Sequence, residues 1–324
     1  MSFLLSICIP TLNRPTLLLR ALNSIYYAQN ILHPVEICIS NNYSENSYSI
    51  VEELLEMKPS FLHINYKRHT KRISIDENHF YVTSMASSEY IYLLGDDDYF
   101  LPYQLGRLCE FISLEKPSLA VFSDVDPCTN HTYGATPSIK YLSVDTAFLS
   151  LWDKCKFGYI LVQRRLLDDL SFKYLFDTAH AYGCFWISLF NMQQLDEDIL
   201  IIQCNYAFVS SSTAPKNYDR FDVYYRAIPL YFHLIKNKLK SAKSTALLQT
   251  ISDRFLARTY SLRYLVFLLR NNDDLIKIKK FNPKLHNAKF LLIRFIGLKL
   301  LNSCADIARR LRDLLHVFIF WNRH

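Results

Sequence analysis

The sequence predicts an α/β fold, a parallel or mostly parallel sheet with helices packed on it, followed by a basic helical C-terminal region. Three observations predict it. Short apolar, β-prone runs at 4–10, 35–39, 62–66 and 90–94 alternate with segments whose apolar residues recur at helical spacing. Each run ends in polar residues, at the end of the strand where open α/β sheets gather their ligands. One run, Tyr90-Ile91-Tyr92-Leu93-Leu94, ends in Gly95 and then in three carboxylates, Asp96, Asp97 and Asp98.

The elements follow in order. The first strand runs into Pro10 and then Thr11-Leu12-Asn13-Arg14-Pro15. Pro15 suits the first turn of a helix, with Asn13 or Arg14 near its cap, and Leu17, Leu18, Ala21, Leu22 and Ile25 continue at helical spacing. The second strand, Val35 to Ile39, ends in Ser40-Asn41-Asn42-Tyr43-Ser44, side chains that satisfy backbone groups in turns. A helix around 47–57, a strand at 62–66 and a basic loop, Lys67 to Arg72, precede helical potential at 78–88. Beyond the carboxylates, Leu101-Pro102 opens another helix, and 119–123, 157–162 and 199–209 read as strands, with a helix near 181–194.

Half of the 324 residues are hydrophobic and 15% are aromatic, the composition of a globular protein. The eight cysteines form no C-x-x-C pair and no zinc-spaced cluster, and nothing resembling a signal peptide precedes the first strand, so a reducing cytoplasm is the expected compartment. No uncharged apolar run reaches 18 residues.

The net charge of +7 is unevenly spread: residues 231–324 carry 19 Lys and Arg against 5 Asp and Glu, whereas 1–230 are net acidic. A boundary is expected near residue 220, with an α/β domain over 1–220 and a basic helical region over 221–324. In that region Arg258, Arg263, Arg270, Lys289, Arg294 and Lys299 interrupt apolar stretches, a pattern suited to the anionic inner face of a membrane. The same pattern would serve two helices packed on the preceding domain with a solvated basic face. It contains no aromatic-rich nucleic-acid motif, so nucleic acid is not an expected partner.

Three acids in a row at the end of a buried strand repel one another. A hard divalent cation, Mn²⁺ or Mg²⁺, resolves that conflict, since such ions take oxygen ligands and are commonly shared with substrate phosphates. A solvated acidic turn is the alternative, and the buried strand in front of it argues against that.

Ser6-Ile7-Cys8-Ile9-Pro10-Thr11-Leu12-Asn13-Arg14, Val35-Glu36-Ile37-Cys38-Ile39-Ser40-Asn41-Asn42 and the Leu93-Leu94-Gly95 segment with its carboxylates, in that order, resemble the family 2 glycosyltransferases, which have the GT-A fold. The resemblance covers about the first 105 residues and implies a GT-A nucleotide-sugar-binding catalytic domain over 1–220, built on a Rossmann-like mixed sheet flanked by helices. It implies that Pro10, Thr11, Asn13 and Arg14 line a nucleotide pocket and that Asp96 lies near the ribose. Asp97 or Asp98 would meet the cation. Asn41 stands where relatives carry a base-contacting acid, and Gly95 where many carry a further acid. Within the family the second strand looks similar to bacterial O-antigen transferases, including abequosyltransferase-like ones.

The family's catalytic base sits in an acidic pair before a helix containing an aromatic residue. Around Trp186 the corresponding positions hold Tyr182 and Cys184, which leaves Asp177 and His180 as candidates. The resulting expectation is an inverting, metal-dependent transferase that moves a sugar from a nucleotide-sugar donor to a lipid-linked glycan acceptor. A catalytically inactive nucleotide-sugar-binding scaffold at the membrane is its rival.

Overall fold

A computed structural model of the chain describes residues 3–122, 139–143, 146–147, 151, 158–167, 200–204, 208–211, 236 and 242–259. The chain divides into two compact units, residues 1–218 with 227–251 and residues 219–226 with 252–324. The sheet belongs to the first.

Four strands follow the expected alternation: β1 (Leu5–Thr11), β2 (Val35–Asn41), β3 (Leu62–Arg68) and β4 (Tyr90–Leu93). Every residue of β2 and β4 is buried, and β1 is buried apart from partly exposed Pro10. Uninterrupted burial of this kind belongs to strands covered on both faces. β1 pairs parallel with β2 on one side and β4 on the other, and β2 pairs parallel with β3. All four therefore present their carboxyl ends at the same edge of the sheet.

The helices between them explain the burial. α1 (Pro15–Tyr26) starts with Pro15, whose missing N–H costs nothing in a first turn, and buries Leu18, Ala21, Leu22, Ile25 and Tyr26 along one stripe. α2 (Ser49–Glu56) packs through Val51. α3 (Ile75–Ser84) begins three residues before the expected 78 because Ser74 and Glu77 form a capping box. The Ser74 hydroxyl accepts from the Glu77 amide at 3.2 Å and the Glu77 carboxylate accepts from the Ser74 amide at 2.7 Å.

The second half of the sheet brings in the antiparallel strands that the GT-A resemblance implies. β6 (Leu119–Phe122), β7 (Ile139–Leu142), β8 (Ile160–Gln163) and β9 (Ile201–Cys204) complete an eight-stranded sheet ordered β3-β2-β1-β4-β8-β6-β9-β7. β8 is antiparallel to both β4 and β6, β9 is parallel to β6, and β7 is antiparallel to β9. The sheet is mixed. The apolar runs predicted β6, β8 and β9 but carried no information about their direction, because a fully buried strand reads alike either way; β7, half-exposed at the sheet edge, was not predicted.

α4 (Gln104–Glu115) follows the short strand β5 (Asp98–Phe100), which pairs antiparallel with β10 (Val209–Ser211) outside the main sheet. The apolar segment 199–209 thus supplies two strands, β9 to the large sheet and β10 to this ribbon. An aromatic cluster of Tyr92, Phe100, Phe111, Phe122 and Phe208 fills the space beneath the ribbon, with Phe122 edge-on to Phe208 at 4.8 Å between centroids. α5 (Ala242–Thr259) carries the start of the basic region. The expected helix near 181–194 lies outside the described residues, as does all of the basic region beyond residue 259. Among the described residues no helix is long and apolar enough to cross a membrane.

Candidate functional site

The carboxyl ends of β1, β2 and β4 converge, and the loops that leave them are stitched together by side chains. Asn13 has a left-handed backbone (φ 56°), a conformation that asparagine tolerates better than most residues. Its amide donates to the Ser44 hydroxyl at 2.8 Å, and its side-chain oxygen accepts from the Glu45 amide at 2.7 Å. The Tyr48 hydroxyl reaches the Thr11 hydroxyl at 2.9 Å and accepts from the Arg14 amide at 3.1 Å. Arg68 donates to the Ser44 carbonyl at 2.7 Å. The β1 and β2 loops therefore form one braced unit.

Asn41 is fully buried at the end of β2. Its amide nitrogen donates to the Tyr66 hydroxyl at 3.1 Å, and its oxygen accepts from the Ser44 amide at 3.0 Å. An amide has two donor hydrogens, so the bond to Tyr66 leaves one for any other partner. Asn42, also buried, pairs both ways with the backbone of Ile73, at 2.9 and 2.8 Å, and so ties β2 to the segment before α3. Ser40 donates to Asn78 at 2.6 Å and bonds the His69 ring at 2.9 Å. Burial and neighbouring Lys67 hold the His69 pKa below its usual value.

The acids after β4 differ in environment. Both oxygens of buried Asp96 are engaged: one accepts from the Thr11 hydroxyl at 2.9 Å and the other from Arg14 Nη1 at 3.1 Å. Burial nevertheless raises its pKa to about 6, with Arg14 and Thr11 opposing the rise and Asp97 adding to it. Asp98 is buried in β5, opposite Ser211, and one of its oxygens accepts from the Gly95 amide at 3.3 Å. Asp97 is the acid left most open, its side chain 25% exposed, with Arg14 Nη1 at 3.5 Å. Its main-chain oxygen accepts from Arg20 Nη2 at 2.6 Å, and Arg20 lies over the Tyr99 ring at 4.6 Å.

Two glycines make this packing possible. A Cβ on Gly95 would fall 2.8 Å from Asp98 Oδ2 and 2.9 Å from Asp97 Oδ1, so both carboxylates turn toward the space over this residue. The acid that many relatives carry there would not fit this arrangement. Gly158 has φ +77°, and a Cβ on it would meet Val209 at 2.7 Å and Asp98 Oδ2 at 3.0 Å. Its absence of a side chain lets the chain enter β8 directly beside Asp98.

The donor set suits a divalent cation. Two hard carboxylates beside a small cradle resemble sites for Mg²⁺ or Mn²⁺, which use one or two protein acids and complete their shell with phosphate oxygens and water. Among the described residues no three His, Cys, Asp or Glu side chains gather into an all-protein cage.

The structure thus brings Thr11, Asn13, Arg14, Asp96, Asp97 and Asp98 together, with Pro10 on β1 in register with Ser40. Asp177 and His180 lie outside the described residues. Tyr48, Ser44, Arg20 and Arg68 were not legible as site residues. Each acts through a neighbour brought close by the sheet, and none stands in a motif.

An open α/β sheet with a braced polar loop pair and an acidic cluster at the carboxyl ends of its strands has the layout in which such folds gather their ligands. The description Glycosyl transferase family 2 matches residues 6–173, just over half of the chain, and the chain belongs to that family. It is similar to abequosyltransferase RfbV of Salmonella typhimurium, with 34% identity over 97 residues, covering 29% of this chain and 28% of that protein. The fold is similar to that of S. aureus TarS residues 1–349 in complex with UDP-GlcNAc, with a TM-score of 0.58 and 14% identity over 87% of this chain and 82% of that one. The UDP complex of the same protein gives 0.57, at 14% identity, over 83% and 75%. Against a longer TarS chain the match spans 44% of that chain's length, so both RfbV and this TarS chain extend well beyond what is matched.

Proposed function

We propose that this protein is an inverting, metal-dependent glycosyltransferase that moves a sugar from a nucleotide-sugar donor to a lipid-linked or surface-polysaccharide acceptor at the inner face of the cytoplasmic membrane. The observation that carries the reading is the division of labour among the three acids: Asp96 is fully engaged with Thr11 and Arg14, while Asp97 stays open beside the Gly95 cradle. That arrangement leaves Asp97, with Asp98 beside the same cradle, to meet a donor diphosphate through a cation, and two loops to hold the nucleoside.

Asp97 and Asp98 would hold Mn²⁺ or Mg²⁺. Such a cation neutralises the charge that builds on the leaving nucleoside diphosphate. The chain's own groups supply the rest. The braced loops, through Pro10, Thr11, Asn13 and Arg14, orient the nucleotide, with buried Asn41 bracing the base end through Tyr66 and Ser44 and Asp96 set toward the ribose. An acceptor hydroxyl attacks the anomeric carbon from the face opposite the diphosphate. The C–O bond to the diphosphate breaks as the new glycosidic bond forms, and the hydroxyl proton passes to a base, Asp177 or His180.

The acceptor assignment is supported by the resemblance to RfbV and by the balance of +14 over residues 231–324. Each cation near an anionic leaflet contributes about 1 kcal/mol. Replacing Arg258, Arg263, Lys289 and Arg294 by Gln should move the protein from vesicles containing anionic lipid to the supernatant. Equal sedimentation on anionic and neutral vesicles would remove the membrane assignment.

The primary test is a screen of nucleotide sugars for thermal stabilisation with Mn²⁺, followed by donor hydrolysis without acceptor. Selective stabilisation and slow, chelator-sensitive hydrolysis are expected. Stabilisation without any hydrolysis would instead favour a binding scaffold.

A further inference from the structure

Among the described residues other than glycine, positive φ occurs at Asn13 and Asn30, a residue type that tolerates it, but also at Tyr43 and Tyr103, where a bulky side chain makes it unfavourable. Tyr43, with φ 55°, lies in the loop that leaves β2 at the carboxyl edge of the sheet. Such strain persists only where the surroundings hold it, and here they do so on both sides. The Tyr43 amide donates to the Asn41 carbonyl at 2.9 Å. Asn42 is tied both ways to Ile73. Ser44 donates its amide to Asn41 Oδ1, accepts from the Asn13 amide through its hydroxyl, and accepts from Arg68 through its carbonyl. The Tyr43 side chain takes no part in this clamp. It is 49% exposed and makes no hydrogen bond or ring contact among the described residues.

Tyr103 shares the hand of the backbone (φ 64°) and the exposure, but not the place. From the acids the chain descends along α1: Arg20 donates to the Asp97 carbonyl, the Phe100 amide donates to the Ser24 hydroxyl, and a Cβ on Gly106 would fall 2.8 Å from the Gln29 carbonyl oxygen. Tyr103 therefore lies toward the far end of α1, away from the carboxyl edge. Of the two strained tyrosines, one stands among the loops of the site.

We propose that Tyr43 is a nucleobase-stacking residue, its ring an open platform at the rim of the site on which the base of the donor rests. The inference rests on the nucleotide-sugar reading given above. β2 and β4 flank β1, so the β2 loop stands two strand spacings, roughly 10 Å, from the strand that leads to the acids. A ribose fits between a base at Tyr43 and a diphosphate at Asp97. A phenol ring stacks on any base through its π-face, so it supplies affinity without choosing among bases. The clamped backbone leaves only two side-chain torsions to be ordered on binding.

The test is calorimetric binding of UDP, CDP, GDP and ADP, each with Mn²⁺, to the full-length protein as wild type, Tyr43→Asn, Tyr43→Phe and Tyr103→Asn, with thermal unfolding of each. Tyr43→Asn is expected to bind the best of these ligands about tenfold more weakly, the scale of one base–aromatic contact. Its thermal midpoint should hold or rise, because asparagine tolerates the positive φ. A loss of affinity with the fold intact then comes from the missing ring and not from a disturbed loop. Tyr43→Phe keeps the ring and should bind like wild type, as should Tyr103→Asn. If Tyr43→Asn binds as tightly as wild type, or if Tyr43→Phe or Tyr103→Asn loses as much as Tyr43→Asn does, stacking is overturned and the nucleotide-sugar reading stands. A lowered thermal midpoint in Tyr43→Asn overturns it too, since the ring would then be holding the loop. If wild type binds none of the four ligands, the nucleotide-sugar reading falls and the inference with it.

Discussion

Glu36 and Asp96 are both buried carboxylates on the parallel half of the sheet, one near the amino end of β2 and the other just past the carboxyl end of β4, and they are satisfied in opposite ways. Glu36, 2% exposed, accepts from the Ser6 hydroxyl at 2.5 Å, the Ser87 amide at 2.8 Å and the Ser87 hydroxyl at 3.0 Å. Ser88 bonds Ser6 and extends the network to the segment before β4. All of its named donors are neutral and fixed by short side chains or by the backbone. Asp96 instead relies on one hydroxyl and one long, charged side chain, and its neighbour Asp97 is open. A carboxylate with a structural task holds partners that cannot leave. Asp96 is held from a neighbouring loop, beside an acid left partly open.

The largest effect should come from the open end. Asp97→Ala is expected to lower transfer by roughly two orders of magnitude or more, the scale of losing one element of charge stabilisation at the reacting centre. The thermal midpoint should hold or rise slightly, because one of three repelling acids is gone. Normal turnover in this variant, measured by release of nucleoside diphosphate, would erase the functional side of the comparison.

Glu36→Gln should show the reverse pattern. The amide places donors where the carboxylate accepted bonds from Ser6 and Ser87, and mismatched buried polar groups cost about 1–3 kcal/mol. Urea unfolding should show the loss while turnover per folded molecule stays near wild type. If stability were unchanged, the Ser6–Glu36–Ser87 network would have no holding role.

Tyr48→Phe sharpens the contrast from within the site. It removes the hydroxyl that accepts from the Arg14 amide and meets Thr11, at a cost of roughly 1 kcal/mol. Loosened loops should also raise the apparent donor KM more than they lower kcat. A pure stability loss with unchanged KM would mean that the loops hold their shape without Tyr48.

The smallest effect concerns His79 on α3, a buried titratable side chain away from both ends. Burial lowers its pKa to about 3, against an ordinary value of 6.5. The unfolded chain therefore takes up a proton in acid that the folded protein resists. Stability from this source is intact above pH 6.5 and declines as pH falls from there toward 3, by roughly 1 kcal/mol at pH 6. His79→Gln should flatten that slope in unfolding experiments between pH 7 and 5.5. Parallel slopes for the two proteins would show that His79 does not set the acid sensitivity.

How much of this was readable varies by element. β1, β2 and β4 were legible because strands buried on both faces need long apolar runs, and α1 because Pro15 marks its first turn. α3 was placed too late, although Ser74 and Glu77 spell its start, because the capping pair lies ahead of the apolar residues. The direction of β8 could not be read, since hydrophobicity carries no sense of orientation. The division of 199–209 between two sheets depends on which strand edges stand free, and those are known only after folding.

The sequence by itself determined that three acids follow a buried strand and that polar loops follow its neighbours, since both are local patterns of residue type. Only the tertiary structure decided which acid is spent and which is open. Asp96 met Thr11 and Arg14 because β4 lies beside β1, Asp98 turned inward because β5 pairs with β10, and Asp97 was left facing out. Adjacent carboxylates are chemically identical in the chain. Burial and partners tell them apart, and those are set by contacts between residues more than 80 positions distant.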